Sequence, residues 1–186
     1  MIFLAYKITV KQGNLLREKA DFIVNTSNTR LFLGCGVSLA FKRHCGHKLQ
    51  NEMDEVIKSM KTDLIQGDIV LTSAQKATNF KYALHIAIMN YNQGIRGNQK
   101  NPTIEIVSKS LFNIEKYLLL YAQKSKTVKV AIPLIGCGTG GLDKKKVINL
   151  YREFFSRSIE IDCEVVVYGY SIEDYNQIIK VLKNRN

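Results

Sequence analysis

The sequence predicts a three-layer α/β fold, in which a central sheet is covered by helices on both faces. Two observations predict it. Strand-like and helix-like patterns alternate along most of the 186 residues. Several strand-like runs are also apolar on both faces, as expected of strands buried between two helical layers. The length suits one domain with a sizeable core and is short for two, so we predict a single domain over residues 1–186.

Six runs have the composition of β-strands and are bounded by turn-forming or polar residues. They are residues 7–11, 21–25, 68–72, 82–89, 128–135 and 164–170.

Between these runs lie five helical patterns, at residues 37–45, 48–60, 103–124, 144–157 and 173–183. The third is the clearest, because apolar residues from Ile104 to Tyr121 recur every three or four positions and form one stripe. Ser171 is placed to cap the N-terminus of the last helix.

The amino-acid composition limits the classes of protein to which the chain can belong. Hydrophobic residues make up 46% and charged residues 23%, which is ordinary for a soluble globular chain. No apolar run approaches the ~20 residues that span a bilayer. The apolar start is interrupted at Lys7, which is too early for a signal peptide. The four cysteines show no CxxC spacing, and reduced thiols are the simplest interpretation. We therefore expect a cytoplasmic protein that does not contact membranes.

The net charge of +11 is compatible with nucleic acid, with an anionic ligand or with a lysine-rich solvated surface. The densest cluster, residues 144–146, directly follows a glycine-rich segment and would raise the local potential for a phosphate-bearing ligand.

Two glycine loops of similar sequence lie roughly a hundred residues apart. The first is Gly34-Cys35-Gly36, followed by Val37, and the second is Gly136-Cys137-Gly138-Thr139-Gly140-Gly141. Each follows an apolar segment and precedes a helical pattern. Glycine allows close approach of the backbone to a ligand, and the N–H groups at a following helix start provide an anion site. The pair predicts two contacts with phosphate groups, with Cys35 and Cys137 as small space-fillers.

Four ordered motifs resemble the macrodomain family of ADP-ribose-binding modules, which also includes enzymes that process ADP-ribose 1″-phosphate. They are Gly13-Asn14-Leu15-Leu16, Val24-Asn25-Thr26-Ser27-Asn28 with the first glycine loop, the strand-like run 82–87, and Ile132-Pro133-Leu134-Ile135 with the second loop. The resemblance implies an α/β/α macrodomain fold around a mixed sheet of about six strands. The expected ligand is ADP-ribose or a mono-ADP-ribosylated substrate, without a cofactor.

The resemblance also implies which residues bind. Asn28 would contact the distal ribose, whereas Asn25 either joins it or braces the loop. The backbone of the first glycine loop would pass along the distal ribose and the neighbouring phosphate, and the N–H groups of residues 138–141 would surround the diphosphate. Tyr170 would stack on adenine, or Tyr168 would in its place, since both lie on one side of the same strand. Asn14 and Leu15 occupy the adenine element, where the family usually has an aspartate in place of Asn14. An asparagine carbonyl accepts the same hydrogen bond without charge assistance.

Catalysis is less well specified. Ser38 stands where many hydrolases of the family carry a water-orienting aspartate, and a serine has no comparable basicity. Another group in the family uses a lysine with a later aspartate, for which Lys42 and Asp143 are the loose matches beside Asn28. A third route has a substrate phosphate orient the water.

Histidine and cysteine suggest little metal chemistry. His44, Cys45 and His47 are too close together to converge on one tetrahedral ion, so no metal site is predicted. His85 lies within an apolar strand and is predicted to be a hydrogen-bonded core residue.

Three functions follow. The chain binds ADP-ribose and hydrolyses ADP-ribosyl derivatives; alternatively, it reads mono-ADP-ribose without turnover. A basic nucleic-acid-binding domain is the remoter alternative, because aromatic and basic residues do not interleave on one strand face.

Overall fold

The structure is a computed structural model that describes residues 4–122 and 127–183. Within these residues the strands and helices follow in chain order: β1 Leu4–Ala5, β2 Lys7–Gln12, β3 Ala20–Asn28, α1 Gly36–Cys45, α2 Lys48–Ser59, β4 Ile69–Ser73, β5 Phe80–Met89, α3 Ile104–Ala122, β6 Thr127–Pro133, α4 Lys144–Phe155, β7 Ser158–Ile159, β8 Asp162–Gly169 and α5 Ile172–Leu182. Short 3-10 helices occupy Leu15–Arg17 and Gly97–Lys100.

All six predicted strands and all five predicted helices are present, with ends shifted by a few residues. The largest extension is β3, which runs three residues beyond the predicted end, to Asn28. The predicted end of the third helix, residues 123 and 124, lies outside the described residues, as does the start of the chain at residues 1–3.

The six long strands form one mixed sheet in the order β2-β8-β6-β3-β5-β4. All neighbours are parallel except β4, which pairs antiparallel with β5. The carboxyl ends of β2, β8, β6, β3 and β5 therefore share one edge, and the loops that leave them lie side by side.

Each central strand contributes alternate residues to two separate apolar layers. On β8, Val165 and Val167 belong to the larger layer, which packs under α3, α4 and α5. Val166 and Tyr168 belong to the smaller layer, under α1 and α2. This burial on both faces explains why the strands read as continuous apolar runs, and it confirms the three-layer α/β fold.

Side chains cap the starts of two helices, α4 and α5. The Ser171 hydroxyl accepts from the Asp174 backbone N–H, and the Asp174 carboxylate accepts from the Ser171 N–H, which completes a capping box at the start of α5. This confirms the predicted cap. At α4 the Asp143 carboxylate accepts from the Lys146 backbone N–H at 3.0 Å.

A small antiparallel pair, β1 with β7, was not apparent from the pattern because each strand has only two residues. Among the described residues, no helix is both long and apolar enough to cross a membrane.

Candidate functional site

A cleft of about 830 Å³ runs along the sheet edge formed by the carboxyl ends of the parallel strands. Its walls come from the loops after β2, β8, β6, β3 and β5. Most of the predicted binding residues line it: Asn14, Leu15, Asn28, Gly34, Cys35, Gly36, Val37, Gly136, Cys137, Gly138, Thr139, Gly140 and Tyr170. The fold thus gathers residues from four separate stretches of sequence into one cavity.

The β2–β8 end of the cleft carries a flat, open aromatic ring. Tyr170 follows β8 directly, and its side chain is 85% exposed. Its position is held through the backbone, because its carbonyl accepts from Gln12 Nε2 at 3.1 Å. The ring is therefore free to stack on a planar group.

Tyr168 lies at the same end but is fixed in place. Its hydroxyl donates to Glu18 Oε2 at 2.6 Å, and Lys11 and Lys129 also contact that carboxylate. Burial alone would raise the pKa of Glu18, but hydrogen bonds from Lys11, Tyr168 and Lys129 outweigh it and lower the pKa to about 2. Glu18 therefore stays ionised and holds the Tyr168 side chain in place. Tyr168 lines the cleft but is not free to move onto a ligand as Tyr170 is.

The side-chain amide of Asn14, at the same end of the cleft, already makes one hydrogen bond. Its Oδ1 accepts from the Leu16 backbone N–H at 3.0 Å, which caps the 3-10 helix Leu15–Arg17. The same oxygen keeps a second lone pair, and the NH₂ group remains on the other side of the amide.

The second glycine loop follows β6 in the middle of the edge. Gly136 and Gly141 adopt positive φ, of 79° and 68°. A Cβ on Gly140 would lie 2.6 Å from the Gly136 carbonyl oxygen, so this turn has no room for a side chain there. Helix α4 starts only at Lys144, and Asp143 caps it. The predicted helix start at residue 144 is therefore confirmed, and Leu142 and Asp143 separate it from the glycine turn.

The first glycine loop differs, since α1 begins at Gly36, inside the loop itself. Cys35 occupies the N-cap position, and its side chain makes no capping hydrogen bond. The first N–H groups of α1 thus open toward the cleft without a competing side chain, which provides a site for an anion. Cys35 is exposed and fills no space, whereas Cys137 is half-buried and burial raises its pKa to about 12.

Asn28 organises the turn between β3 and the first loop. Its Oδ1 accepts from the backbone N–H groups of Arg30 and Phe32, and its Nδ2 donates to the Phe32 carbonyl at 2.9 Å. The amide retains a second N–H. Asn28 lines the cleft and shapes its wall, a structural role that the sequence pattern did not reveal.

Asn25 lies beneath the cleft and is fully buried, outside the set of lining residues. Its Oδ1 accepts from the Ser38 hydroxyl at 3.0 Å, and its Nδ2 lies 2.9 Å from His85 Nδ1. His85 Nε2 in turn lies 2.8 Å from the Thr72 hydroxyl. Of the two roles expected for Asn25, the structure supports bracing the loop, because Ser38 belongs to the first turn of α1.

His85 is a hydrogen-bonded core residue, as predicted. Burial lowers its pKa to about 3, so the ring is neutral at physiological pH. With Asn25 donating to Nδ1, the proton resides on Nε2 and points at Thr72.

Two of the three predicted catalytic residues are not among the residues that line the cleft. Lys42 and Asp143 both lie outside the lining of the cleft, and the Asp143 carboxylate caps α4. Gly141 also lies outside it. Asp174 is the carboxylate among the lining residues, and Lys144 Nζ contacts its Oδ1 at 2.5 Å. Hydrogen bonds from Lys144 and Ser171 outweigh the effect of burial and lower the Asp174 pKa.

Several lining residues were missed by the sequence analysis. They include Phe32, Arg43, Tyr91 and Asp174. Arg43 is seven residues beyond Gly36 on α1, so helical spacing could have placed it on the face of the loop. Phe32 and Tyr91 sit in irregular segments without a pattern to mark them.

The Macro domain family model matches residues 24–151 of the chain. An uncharacterized protein of Sulfolobus acidocaldarius is 29% identical over 185 residues, covering 96% of this chain and 91% of that protein. An uncharacterized protein of Thermotoga maritima is 30% identical over 147 residues, or 79% of this chain. The matched segment spans only 23% of that longer relative.

Solved structures share the fold. The Oceanobacillus iheyensis macrodomain with ADP superimposes with a TM-score of 0.77 at 19% identity, covering 98% of this chain and 95% of that one. The Trypanosoma brucei macrodomain in complex with ADP-ribose gives 0.71 at 18% identity, covering 93% and 68%. The macrodomain of Mycobacterium tuberculosis DarG gives 0.70 at 21% identity, covering 89% and 99%.

Proposed function

Because the chain belongs to the macro domain family, we propose that it binds ADP-ribose in the cleft at the carboxyl ends of its strands, and that residues 1–186 form one macro domain. The observation that carries the proposal is the order of groups along the sheet edge. An open aromatic ring stands at the β2–β8 end, a glycine turn follows β6, and the Asn28 amide with the start of α1 follows β3.

This order matches the chemistry of ADP-ribose from one end to the other. Adenine stacks on Tyr170 next to Asn14, whose Oδ1 has a lone pair for the exocyclic amino group. The diphosphate lies between the second glycine loop and the first N–H groups of α1. The distal ribose reaches Asn28, whose remaining amide N–H faces the ribose hydroxyls. Lys144 and Arg43 add positive charge to the walls.

For hydrolysis, the described residues of the cleft supply no free general base. The Ser38 hydroxyl contacts Asn25 and the Thr26 carbonyl, and Asp174 is paired with Lys144. Binding without acid–base turnover is therefore the function that the geometry supports best. Hydrolysis of ADP-ribosyl derivatives would use the third route, in which a phosphate of the substrate orients the water.

Isothermal titration calorimetry with ADP-ribose, and with AMP for comparison, tests the proposal. We expect a dissociation constant at or below about ten micromolar for ADP-ribose, roughly −7 kcal/mol, and much weaker binding of AMP, which lacks the second phosphate and the distal ribose. Absence of heat at millimolar ADP-ribose would refute the proposal. Incubation with a mono-ADP-ribosylated protein then separates reader from hydrolase, since only a hydrolase releases ADP-ribose.

A further inference from the structure

A continuous series of four buried side chains links the first turn of α1 to strand β4 at the edge of the sheet. It consists of Ser38 on α1, Asn25 on β3, His85 on β5 and Thr72 on β4, and each of them is at most 4% exposed. Asn25 and His85 are direct partners in the β3–β5 register. Ser38 lines the cleft, whereas β4, which is described over its whole length, contributes nothing to the lining. This series, the hydrogen-bond chain, therefore connects the wall of the cleft to a strand outside it.

The hydrogen bonds of this chain all run in one direction. The Ser38 hydroxyl donates to Asn25 Oδ1 at 3.0 Å, and Asn25 Nδ2 donates to His85 Nδ1 over 2.9 Å. A neutral imidazole that accepts at Nδ1 carries its proton on Nε2, which lies 2.8 Å from the Thr72 hydroxyl. The Thr72 hydroxyl donates in turn to the Ser73 carbonyl at 3.1 Å. Every proton of the hydrogen-bond chain therefore points from the α1 side towards β4.

The direction of these bonds determines what Ser38 can offer to a ligand. A hydroxyl group has one proton and two lone pairs. The Ser38 proton is taken by acceptors of β3, since Asn25 Oδ1 lies 3.0 Å and the Thr26 carbonyl 3.1 Å from the Ser38 oxygen. Towards the cleft, Ser38 can therefore act only as an acceptor, for a ligand hydroxyl or a water molecule.

Thr72 is the residue that keeps this direction from reversing. Without its hydroxyl, a proton on His85 Nε2 would be buried with no acceptor, at a cost comparable to that of a lost hydrogen bond. The ring avoids this cost as the other tautomer, with its proton on Nδ1. Asn25 must then rotate its amide, so that Oδ1 accepts from His85 and Nδ2 donates to Ser38. One lone pair of the Ser38 oxygen is thereby used within the protein and lost to the cleft.

We propose that Thr72 and His85 are positioning residues for the ligand of the cleft, although neither lines it. Acting through Asn25, they hold the Ser38 proton inside the protein and keep the Ser38 oxygen as an acceptor at the start of α1. This inference rests on the proposed function, in which the ligand brings phosphates and ribose hydroxyls to that place. Three strands of the sheet thus take part in one contact of the cleft.

Thr72→Val tests the inference, because it removes the hydroxyl and retains the branched shape. We expect ADP-ribose to bind the valine variant about fivefold more weakly in calorimetry, a factor typical of one hydrogen bond. Thr72→Ser restores a hydroxyl at this position and should bind within about twofold of the wild type.

Ser110→Ala is the matched control for the loss of a buried hydroxyl. The Ser110 hydroxyl is fully buried on α3, donates to the Ile106 carbonyl at 2.8 Å and lies outside the lining of the cleft. This variant should bind ADP-ribose as the wild type does. Thermal unfolding shows whether each variant is folded.

The tautomer of His85 is the readout that a purely structural role of Thr72 would not change. Nitrogen NMR distinguishes the two neutral tautomers of a histidine ring. We expect the proton on Nε2 in the wild type and in Thr72→Ser, and on Nδ1 in Thr72→Val. This measurement needs no ligand, so it is independent of the affinities.

A double-mutant cycle shows whether the effect reaches the ligand through Ser38. Ser38→Ala removes the acceptor itself and should weaken ADP-ribose binding by a similar factor. Adding Thr72→Val to Ser38→Ala should then cost no further affinity, because the residue that transmits the effect is absent.

The results that would overturn the inference differ from those that would overturn the proposed function. With ADP-ribose bound by the wild type as expected, the inference is wrong if Thr72→Val binds it equally well, or if the losses add in the double variant. It is also wrong if the His85 proton lies on Nδ1 in the wild type or stays on Nε2 in Thr72→Val. The proposed function stands in each of these cases. If ADP-ribose does not bind the wild type, the proposed function fails and the inference fails with it.

Discussion

The two glycine loops read almost alike in sequence, yet they expose backbone N–H groups in different ways. In the first loop α1 begins at Gly36, and no side chain caps its free N–H groups. In the second loop the chain turns through Gly136 and Gly141, and α4 starts only at Lys144, with its N-terminus occupied by Asp143. One loop presents a helix N-terminus, whereas the other presents a turn.

What lies beneath the loops differs as well. A buried polar chain of Ser38, Asn25 and His85 supports the first loop. The second rests on the Tyr151 hydroxyl, which donates to the Pro133 carbonyl and accepts from the Ile135 N–H, and on the Pro102 ring. A shared glycine pattern thus predicts close approach to a ligand but not how the backbone is held.

The largest expected effect comes from filling the second loop. Gly138→Glu should weaken ADP-ribose binding at least a hundredfold, roughly 2.7 kcal/mol, because the carboxylate would stand in the cleft and repel the diphosphate. A Cβ at Gly138 meets nothing within 4 Å, so we expect an unchanged melting temperature. Gly138→Ala is the matched control and should bind nearly as wild type. Undiminished affinity in the glutamate variant would remove this loop from the site.

The next prediction separates packing from backbone conformation. Gly140→Ala should lower the free energy of unfolding by about 1–3 kcal/mol, because its Cβ would lie 2.6 Å from the Gly136 oxygen and 2.7 Å from Pro102 Cγ. In the first loop, Gly36→Ala meets no atom within 4 Å but must adopt a φ of +53°. We expect it to cost about 1 kcal/mol. Chemical denaturation measures both, and a cost for Gly140→Ala well below about 1 kcal/mol would contradict the tight packing of the second loop.

The buried chain beneath the first loop predicts a dependence on pH. The pKa of His85 falls from 6.5 to about 3 on folding, so protonation favours the unfolded state. The free energy of unfolding should therefore decrease below pH 6.5, by about 2 kcal/mol at pH 5. Glu18, with its pKa lowered from 4.5 to about 2, loses its contribution only below about pH 4.5.

His85→Gln is the variant that isolates this effect, since an amide hydrogen-bonds but does not titrate in this range. Denaturation curves at pH 6.5 and pH 5 should give a smaller difference for the variant than for the wild type. The same pH dependence in both proteins would show that another group is responsible.

The smallest effect concerns the start of α4. Asp143→Ala removes the hydrogen bond to the Lys146 N–H and should cost about 1 kcal/mol of stability, while Asp143→Asn retains a cap. Because Asp143 lies outside the lining of the cleft, the affinity for ADP-ribose should stay within twofold in both. A clear change in affinity in the alanine variant would mean that the α4 N-terminus takes part in binding after all.

Much of the fold could be predicted because its signals are local. Strand composition marked six strands, and the stripe from Ile104 to Tyr121 marked α3. The pairing of β1 with β7 could not be predicted, because strands of two residues show no periodicity. The buried position of Asn25 could not be predicted either. Strand β3 extends to Asn28 with an irregular register after Ser27, so periodicity alone could not decide which asparagine reaches the cleft.

The sequence alone specifies the α/β class, the two glycine loops, the family likeness and many of the residues that line the cleft. Tertiary structure was needed to show that Asn25 braces a helix, that Lys42 and Asp143 lie outside the lining of the cleft, and that Phe32 and Tyr91 both belong to it. The physical reason is that glycine content and apolar periodicity act within a few residues of chain. The cleft instead forms where five strand ends converge, and that convergence depends on the order of strands in the sheet.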